Sequence, residues 1–171
     1  GDFILVNKFT YGLRLPVTHT RIVELGEPER GDVMVFRFPN EPSVNFIKRV
    51  IGLPGDTVRY ADKQIYVNGE PVPHIPLPET PDGASGLQLL TEWLDEAEYS
   101  IYHNPRDPGP RVREIVVPEG HYFTMGDNRD HSNDSRYWGF VPEENIVGRA
   151  FSVWMHWDGG LPSFSQARSI K

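Results

Sequence analysis

Cysteine is absent from the 171 residues, which removes disulfides, thiolate metal sites and a cysteine nucleophile together. The redox compartment stays open, because an exported protein need not contain cysteine. A basic block is also missing: Lys and Arg number 17 against 24 Asp and Glu, for a net charge of −7. Tracking of nucleic-acid phosphates is therefore not expected. No run approaches the roughly 20 apolar residues of a membrane-spanning helix. There is no HExxH, and His19, His74, His103, His121, His131 and His156 show no zinc-ligand spacing. They are read as surface or packing residues, with no metal and no other cofactor expected. The chain opens Gly1-Asp2-Phe3-Ile4-Leu5-Val6, without a start Met, and reads as a cut edge rather than a native terminus.

What is present is mainly strand-like. Phe3–Lys8, Val33–Phe38, Val44–Ile51, Thr57–Tyr60 and Gln64–Val67 are β-branched or aromatic runs ended by turn residues. Glu114–Val117, Tyr122–Met125 and Ile146–Trp157 follow the same pattern, and Asn68-Gly69 is a strong hairpin signal. Sixteen Gly and sixteen Pro, dispersed rather than repeated, suit short strands joined by turns. The expectation is a mainly β fold with many non-local pairings.

One stretch departs from this pattern. Pro71 to Pro105 has no Lys or Arg, while Glu79, Asp82, Glu92, Asp95, Glu96 and Glu98 contribute −6 of the chain's −7. Within it, Leu90, Trp93, Leu94 and Ala97 fall on one helical face. This predicts a β-rich core from residues 1–70 and 114–171, with 71–113 a mostly solvated acidic insertion carrying a short amphipathic helix over Leu87–Ala97.

Two stretches carry the chemistry. In Val44-Asn45-Phe46-Ile47-Lys48-Arg49-Val50-Ile51, strand alternation puts Val44, Phe46, Lys48 and Val50 on one face and Arg49 on the other. A lysine flanked by apolar side chains is pushed toward its neutral form and can then take a proton from a hydroxyl. Arginine cannot fill that role. On the strand pattern alone, such a lysine more often snorkels to solvent or pairs with a carboxylate.

The second stretch, Gly126 to Gly139, holds Asp127, Asp130, Asp134, Arg129 and Arg136 among residues that bond local backbone. Such a loop can hold itself rigid through bidentate Arg–carboxylate pairs and present a hydroxyl such as Ser132 to a neighbouring base. Asp130-x-Ser132-x-Asp134 imitates the start of a calcium loop. The sixth position is Ser135 rather than Gly and the twelfth is Val141 rather than Glu, so that reading fails. His131 as a base has no nucleophile paired with it in the sequence.

Together the two stretches resemble the bacterial type I signal peptidases, or leader peptidases, in their extracytoplasmic catalytic domain of Gram-negative type. Lys48-Arg49 with Gly52-Leu53-Pro54-Gly55-Asp56 resembles that family's lysine box. Gly126-Asp127-Asn128-Arg129-Asp130, Ser132 and Asp134-Ser135-Arg136-Tyr137-Trp138-Gly139 resemble its late conserved box. Gly1–Val6 and Arg30-Gly31-Asp32-Val33 match two more.

The resemblance implies a signal-peptidase-type antiparallel β-sheet or barrel domain, and a Ser/Lys endopeptidase that removes signal peptides from secreted preproteins after small residues. Lys48 would be the general base and Ser132 would orient it. Arg49, Asp127, Asp134 and Arg136 would hold the loop, and Ile4, Val35, Phe46 and Ile47 would line the substrate cleft. The peptide would add as a strand beside Lys48. The domain would work at the periplasmic face of the bacterial inner membrane, against the membrane surface, with Phe3, Phe9 and Tyr11 as an apolar rim. In that family a Ser-x-Met-x-Pro box carrying the nucleophile lies just before the Gly-Asp-Phe-Ile segment, and a membrane anchor lies further upstream. Neither is found in these residues, so the chain is expected to fold but not to cleave on its own. The reading from another class is a non-catalytic β-rich binding or regulatory domain that retained the fold.

Overall fold

In the computed structural model of the chain, residues 2–7, 27–78, 86–156 and 168–169 are described, with side chains for 27–78 and 86–149. Those residues are mainly antiparallel strands. A seven-stranded sheet has the order β1-β13-β2-β3-β11-β12, with β14 also paired to β13. Its strands are β1 (Asp2–Asn7), β2 (Val33–Phe38), β3 (Glu41–Gly52), β11 (His121–Met125), β12 (Val141–Pro142), β13 (Ile146–His156) and β14 (Arg168–Ser169). A second sheet runs β10-β4-β5-β6, from β4 (Thr57–Ala61), β5 (Gln64–Val67), β6 (Glu70–Pro71) and β10 (Val112–Val116). A third, β7-β8-β9, is built from β7 (His74–Pro76), β8 (Gln88–Leu94) and β9 (Ala97–His103).

Strand alternation explains how the large sheet serves two cores. In β3 and β11, Val50 and Tyr122 face a cluster with Met34, Phe36 and Val141. Their chain neighbours Ile51 and Phe123 face the opposite way, into a cluster with Val58, Tyr60, Ile65, Leu90, Leu94, Tyr99 and Ile101. Side chains such as Phe36 and Phe123, with 0% exposure, each stabilise the fold by roughly 1.5–3 kcal/mol through burial. The Asn68-Gly69 hairpin forms as its sequence demands, with φ of 52° and 84°.

The acidic stretch differs from its expected form. The helix over Leu87–Ala97 is instead the β8–β9 hairpin, with Leu94 opposite Ala97 across a turn where Asp95 has φ 50°. Leu90, Glu92 and Leu94 alternate as buried positions, a spacing of two, with Leu89 buried beside them. The charge on Glu92 hides that period from any hydrophobicity pattern. Nor is the stretch mostly solvated, because Leu90, Leu94, Tyr99 and Ile101 share one hydrophobic cluster with Ile51 and Val58.

Candidate active site

At Lys48, β3 is paired with β2 through Met34 on one side and is open on the other. β2 pairs along β3 from Glu41, opposite Phe38, to Arg49, opposite Val33. On the other side β11 pairs only from Arg49 to Gly52. Among the described residues, Glu41 to Lys48 therefore present an open strand edge, and Glu41 to Asn45 and Ile47 are solvent-exposed. An open cleft of about 280 Å³ lies at this point, lined by Val33, Ile47, Lys48, Arg49, Gly126, Asp127, Asn128, His131 and Ser132.

The Lys48 side chain is half-buried, with its ammonium 5.5 Å from the centre of the Phe46 ring. It donates a 2.9 Å hydrogen bond to Ser132 Oγ. Burial holds its pKa below the ordinary 10.5; the Asp134 carboxylate opposes that shift, Arg136 adds to it and Asp127 opposes it. Gly126 makes the Lys48–Ser132 pair possible. A Cβ there would lie 2.1 Å from Ser132 Oγ and 3.4 Å from Lys48 Nζ, so any side chain would occupy the space the hydroxyl uses.

The loop is held from both ends. Arg49, on the far face of β3, grips Asp127 bidentately at 2.8 and 2.7 Å and donates to the Gly31 carbonyl at 2.7 Å. At the other end Asp134 caps the short helix α1 (Ser135–Trp138) by accepting from the Arg136 backbone N–H. Its carboxylate also receives Arg136 Nε and Nη2, at 2.8 and 2.7 Å, and the Gly126 N–H at 3.0 Å. Both side chains of that pair have 0% exposure. Ser135 Oγ accepts from the Thr124 N–H at 2.9 Å, tying α1 to β11.

Of the residues singled out in the sequence, Lys48, Ser132, Arg49, Asp127, Asp134 and Arg136 thus meet around one cleft. Ile47 lines it. Phe46 packs in an aromatic group with Phe36, Phe38 and Trp138. Val35 lies opposite Ile47 in register but is buried away from the cleft wall. The side chains of Ile4 and Phe3, and Phe9 and Tyr11 altogether, lie outside the described residues. Sequence reasoning missed Val33, Asn128 and His131 as cleft residues, and missed Gly126 as the one that makes room. It also missed Glu92, whose carboxylate is fully buried and receives the Arg129 guanidinium bidentately. An isolated acid in a strand of otherwise apolar inward positions was the available signal for it.

Among the described residues, no group of His, Asp and Glu could hold a metal ion, and no helix is long and apolar enough to cross a membrane. The family profile for "Signal peptidase, peptidase S26" matches residues 1–157. Signal peptidase I of Pseudomonas aeruginosa is 52% identical over 186 residues, covering 99% of this chain and 66% of that protein. Signal peptidase I of Pseudomonas fluorescens is 51% identical over 191 residues, with 100% and 66% covered. The chain therefore spans 66% of the length of both relatives. The crystal structure of a signal peptidase I from Enterococcus faecalis V583 is 31% identical, with a TM-score of 0.45, covering 72% of this chain and 97% of that one. The chain belongs to the signal peptidase family, peptidase S26.

Proposed function

We propose that these residues form the lysine-bearing part of a serine endopeptidase that removes signal peptides from exported preproteins after small residues. The observation that carries this reading is the 2.9 Å bond between Lys48 Nζ and Ser132 Oγ, at a lysine kept below its ordinary pKa. Neutral Lys48 takes the proton from an attacking serine hydroxyl, which adds to the scissile carbonyl. The same proton then passes to the leaving amine, and a water hydrolyses the acyl-enzyme with Lys48 again as base. Ser132 fixes the direction of the Lys48 lone pair. Arg49, Asp127, Asp134 and Arg136 hold the loop in place.

The substrate binds extended along the open edge of β3, its backbone pairing where β11 does not reach. Ile47 and Phe46 offer shallow apolar contacts, with Ile4 in β1 and Val35 in β2 at family-matched positions. Small residues before the cleavage site suit such walls, since a larger side chain would meet them. The domain acts at the periplasmic face of the inner membrane and needs no metal. Residues 71–113 are an insertion in a core made of 1–70 and 114–171.

The attacking hydroxyl comes from a Ser-x-Met-x-Pro segment, a pattern absent from these 171 residues, so this chain by itself does not cleave. Ser132 is assigned as the orienting hydroxyl rather than that nucleophile, by its matched position in the loop that resembles the family's late box. The test is cleavage of a signal-peptide substrate by this chain and by one extended through the serine box. Cleavage only by the extended chain, lost in Lys48→Met, is expected. Robust Lys48-dependent cleavage by the 171 residues alone would overturn the assignment of the nucleophile. Activity that survives Lys48→Met would overturn the base.

A further inference from the structure

The β8–β9 hairpin touches two arginines, Arg49 in the cleft wall and Arg129 within the Gly126–Gly139 loop. Arg49, which holds Asp127, stacks its guanidinium 3.8 Å from the centre of the Tyr99 ring. Arg129, inside the Gly126–Gly139 loop, gives its whole fork to Glu92, with Nη1 to Oε2 at 2.8 Å and Nη2 to Oε1. Tyr99 Oη donates to the same Glu92 Oε1 at 2.7 Å. Glu92 and Arg129 have 0% exposure, and 37 residues separate them. The backbones meet as well, since the Tyr102 N–H donates to the Asp127 carbonyl at 2.9 Å. At its turn the hairpin seats on Gly31, φ +92°, where a Cβ would lie 2.3 Å from Ala97 Cβ.

We propose that this hairpin is a positioning element of the active site, and that Glu92, acting through Arg129, sets where the loop holds Ser132 against Lys48. The inference rests on the Lys48 and Ser132 roles proposed above. The route is a continuous set of bonds between enclosed groups. Glu92 fixes the Arg129 side chain, and the Arg129 carbonyl accepts from Arg136 Nη2. Arg136 grips Asp134, and Asp134 accepts from the Gly126 N–H, whose residue borders both Ser132 and Lys48. A buried ion pair of this kind adds little net stability, because desolvation of both charges offsets their attraction. Its bidentate geometry nevertheless fixes one loop placement among several. If Glu92 lost its charge, Arg129 would be left uncompensated in the interior and the loop would have to move to hydrate it. A displacement of about 1 Å at a reacting group can cost about 10²-fold in rate.

The test uses the complete enzyme containing these residues and the variant Glu92→Gln, with Glu98→Gln as control. Glu98 lies in the same hairpin but is exposed, its carboxylate accepting from Trp93 Nε1. In Glu92→Gln, kcat should fall about ten- to a hundred-fold with KM within about two-fold, while Glu98→Gln stays at the parent rate. The rising limb of the pH–rate profile should also move to higher pH, as a displaced loop lets water reach Lys48. The groups around that lysine that set the limb are Asp134, Arg136 and Asp127.

An NMR titration of the labelled Lys48 ammonium reads the same displacement without catalysis, and should show an upward shift in Glu92→Gln. If Lys48→Met remains active while that NMR shift occurs, the base assignment fails and the positioning role stands. A folded Glu92→Gln with the parent kcat, pH profile and Lys48 titration would overturn the proposal. Should Glu92→Gln not fold, Tyr99→Phe decides, since it removes only the 2.7 Å bond to Glu92. A several-fold loss of kcat with the same limb shift supports the role, and unchanged kinetics overturns it.

Discussion

Removing the carboxylate of Asp134 should separate two jobs that the loop performs at once. In the folded chain Asp134 receives the Arg136 backbone N–H, the Arg136 fork and the Gly126 N–H, with both side chains of the ion pair at 0% exposure. Asp134→Ala leaves the Arg136 guanidinium enclosed, with the Arg129 carbonyl as its remaining hydrogen-bond acceptor among the described residues. An uncompensated buried charge costs about 3–5 kcal/mol. For a chain of this length each kcal/mol lowers Tm by about 2–4 °C, so the loss is about 6–20 °C. Ser132→Ala removes only the Lys48 bond, worth about 1 kcal/mol, or about 2–4 °C. It should nevertheless slow cleavage strongly, because Lys48 loses the group that aims it. Thermal melts beside kcat values in the extended enzyme check both halves. Equal melting losses in the two variants, or a Ser132→Ala enzyme at the parent rate, would refute the division between a structural Asp134 and a catalytic Ser132.

Other outcomes follow from the same contacts. Lys48→Met should abolish cleavage in the extended enzyme yet leave melting almost unchanged, since the side chain already packs against Phe46. In the parent enzyme, kcat should rise with pH through a lysine pKa below 10.5. The fold should gain stability from Lys48 as pH rises from that value to 10.5, because the unfolded chain binds the proton over that range. Gly126→Ala should displace Ser132, whose Oγ would be 2.1 Å from the new Cβ, and reduce kcat at least ten-fold in the same cleavage assay. Burial, with Arg129 nearby, pulls His103 down from 6.5 to about 4. The unfolded chain then binds an extra proton between those values, and roughly 3 kcal/mol of stability is lost as pH falls from 6.5 to 4. Urea melts of the parent and His103→Phe at pH 7 and pH 4.5 should show a smaller acid loss in the variant.

Several features were settled by local sequence alone. The β-branched runs that became β2, β4 and β5, and the Asn68-Gly69 turn, depend on near neighbours and on φ preferences. The two-residue period of a strand already separated Lys48 from Arg49, and one residue did turn toward Ser132 while the other turned to Asp127. Tertiary structure decided what lay beyond those neighbours. Leu90, Trp93, Leu94 and Ala97 satisfy a helical face as written, and the strand period becomes the better choice through packing on the Ile51 and Val58 cluster and a partner for Glu92. That partner, Arg129, lies 37 residues along the chain. The meeting of Lys48 with Ser132 spans 84 residues and depends on β11 ending its pairing at Arg49. The loop then crosses the strand edge with a glycine at the point of contact. A charge can be read as misplaced from its neighbours in sequence, but its compensation in space comes from contacts that the linear order does not contain.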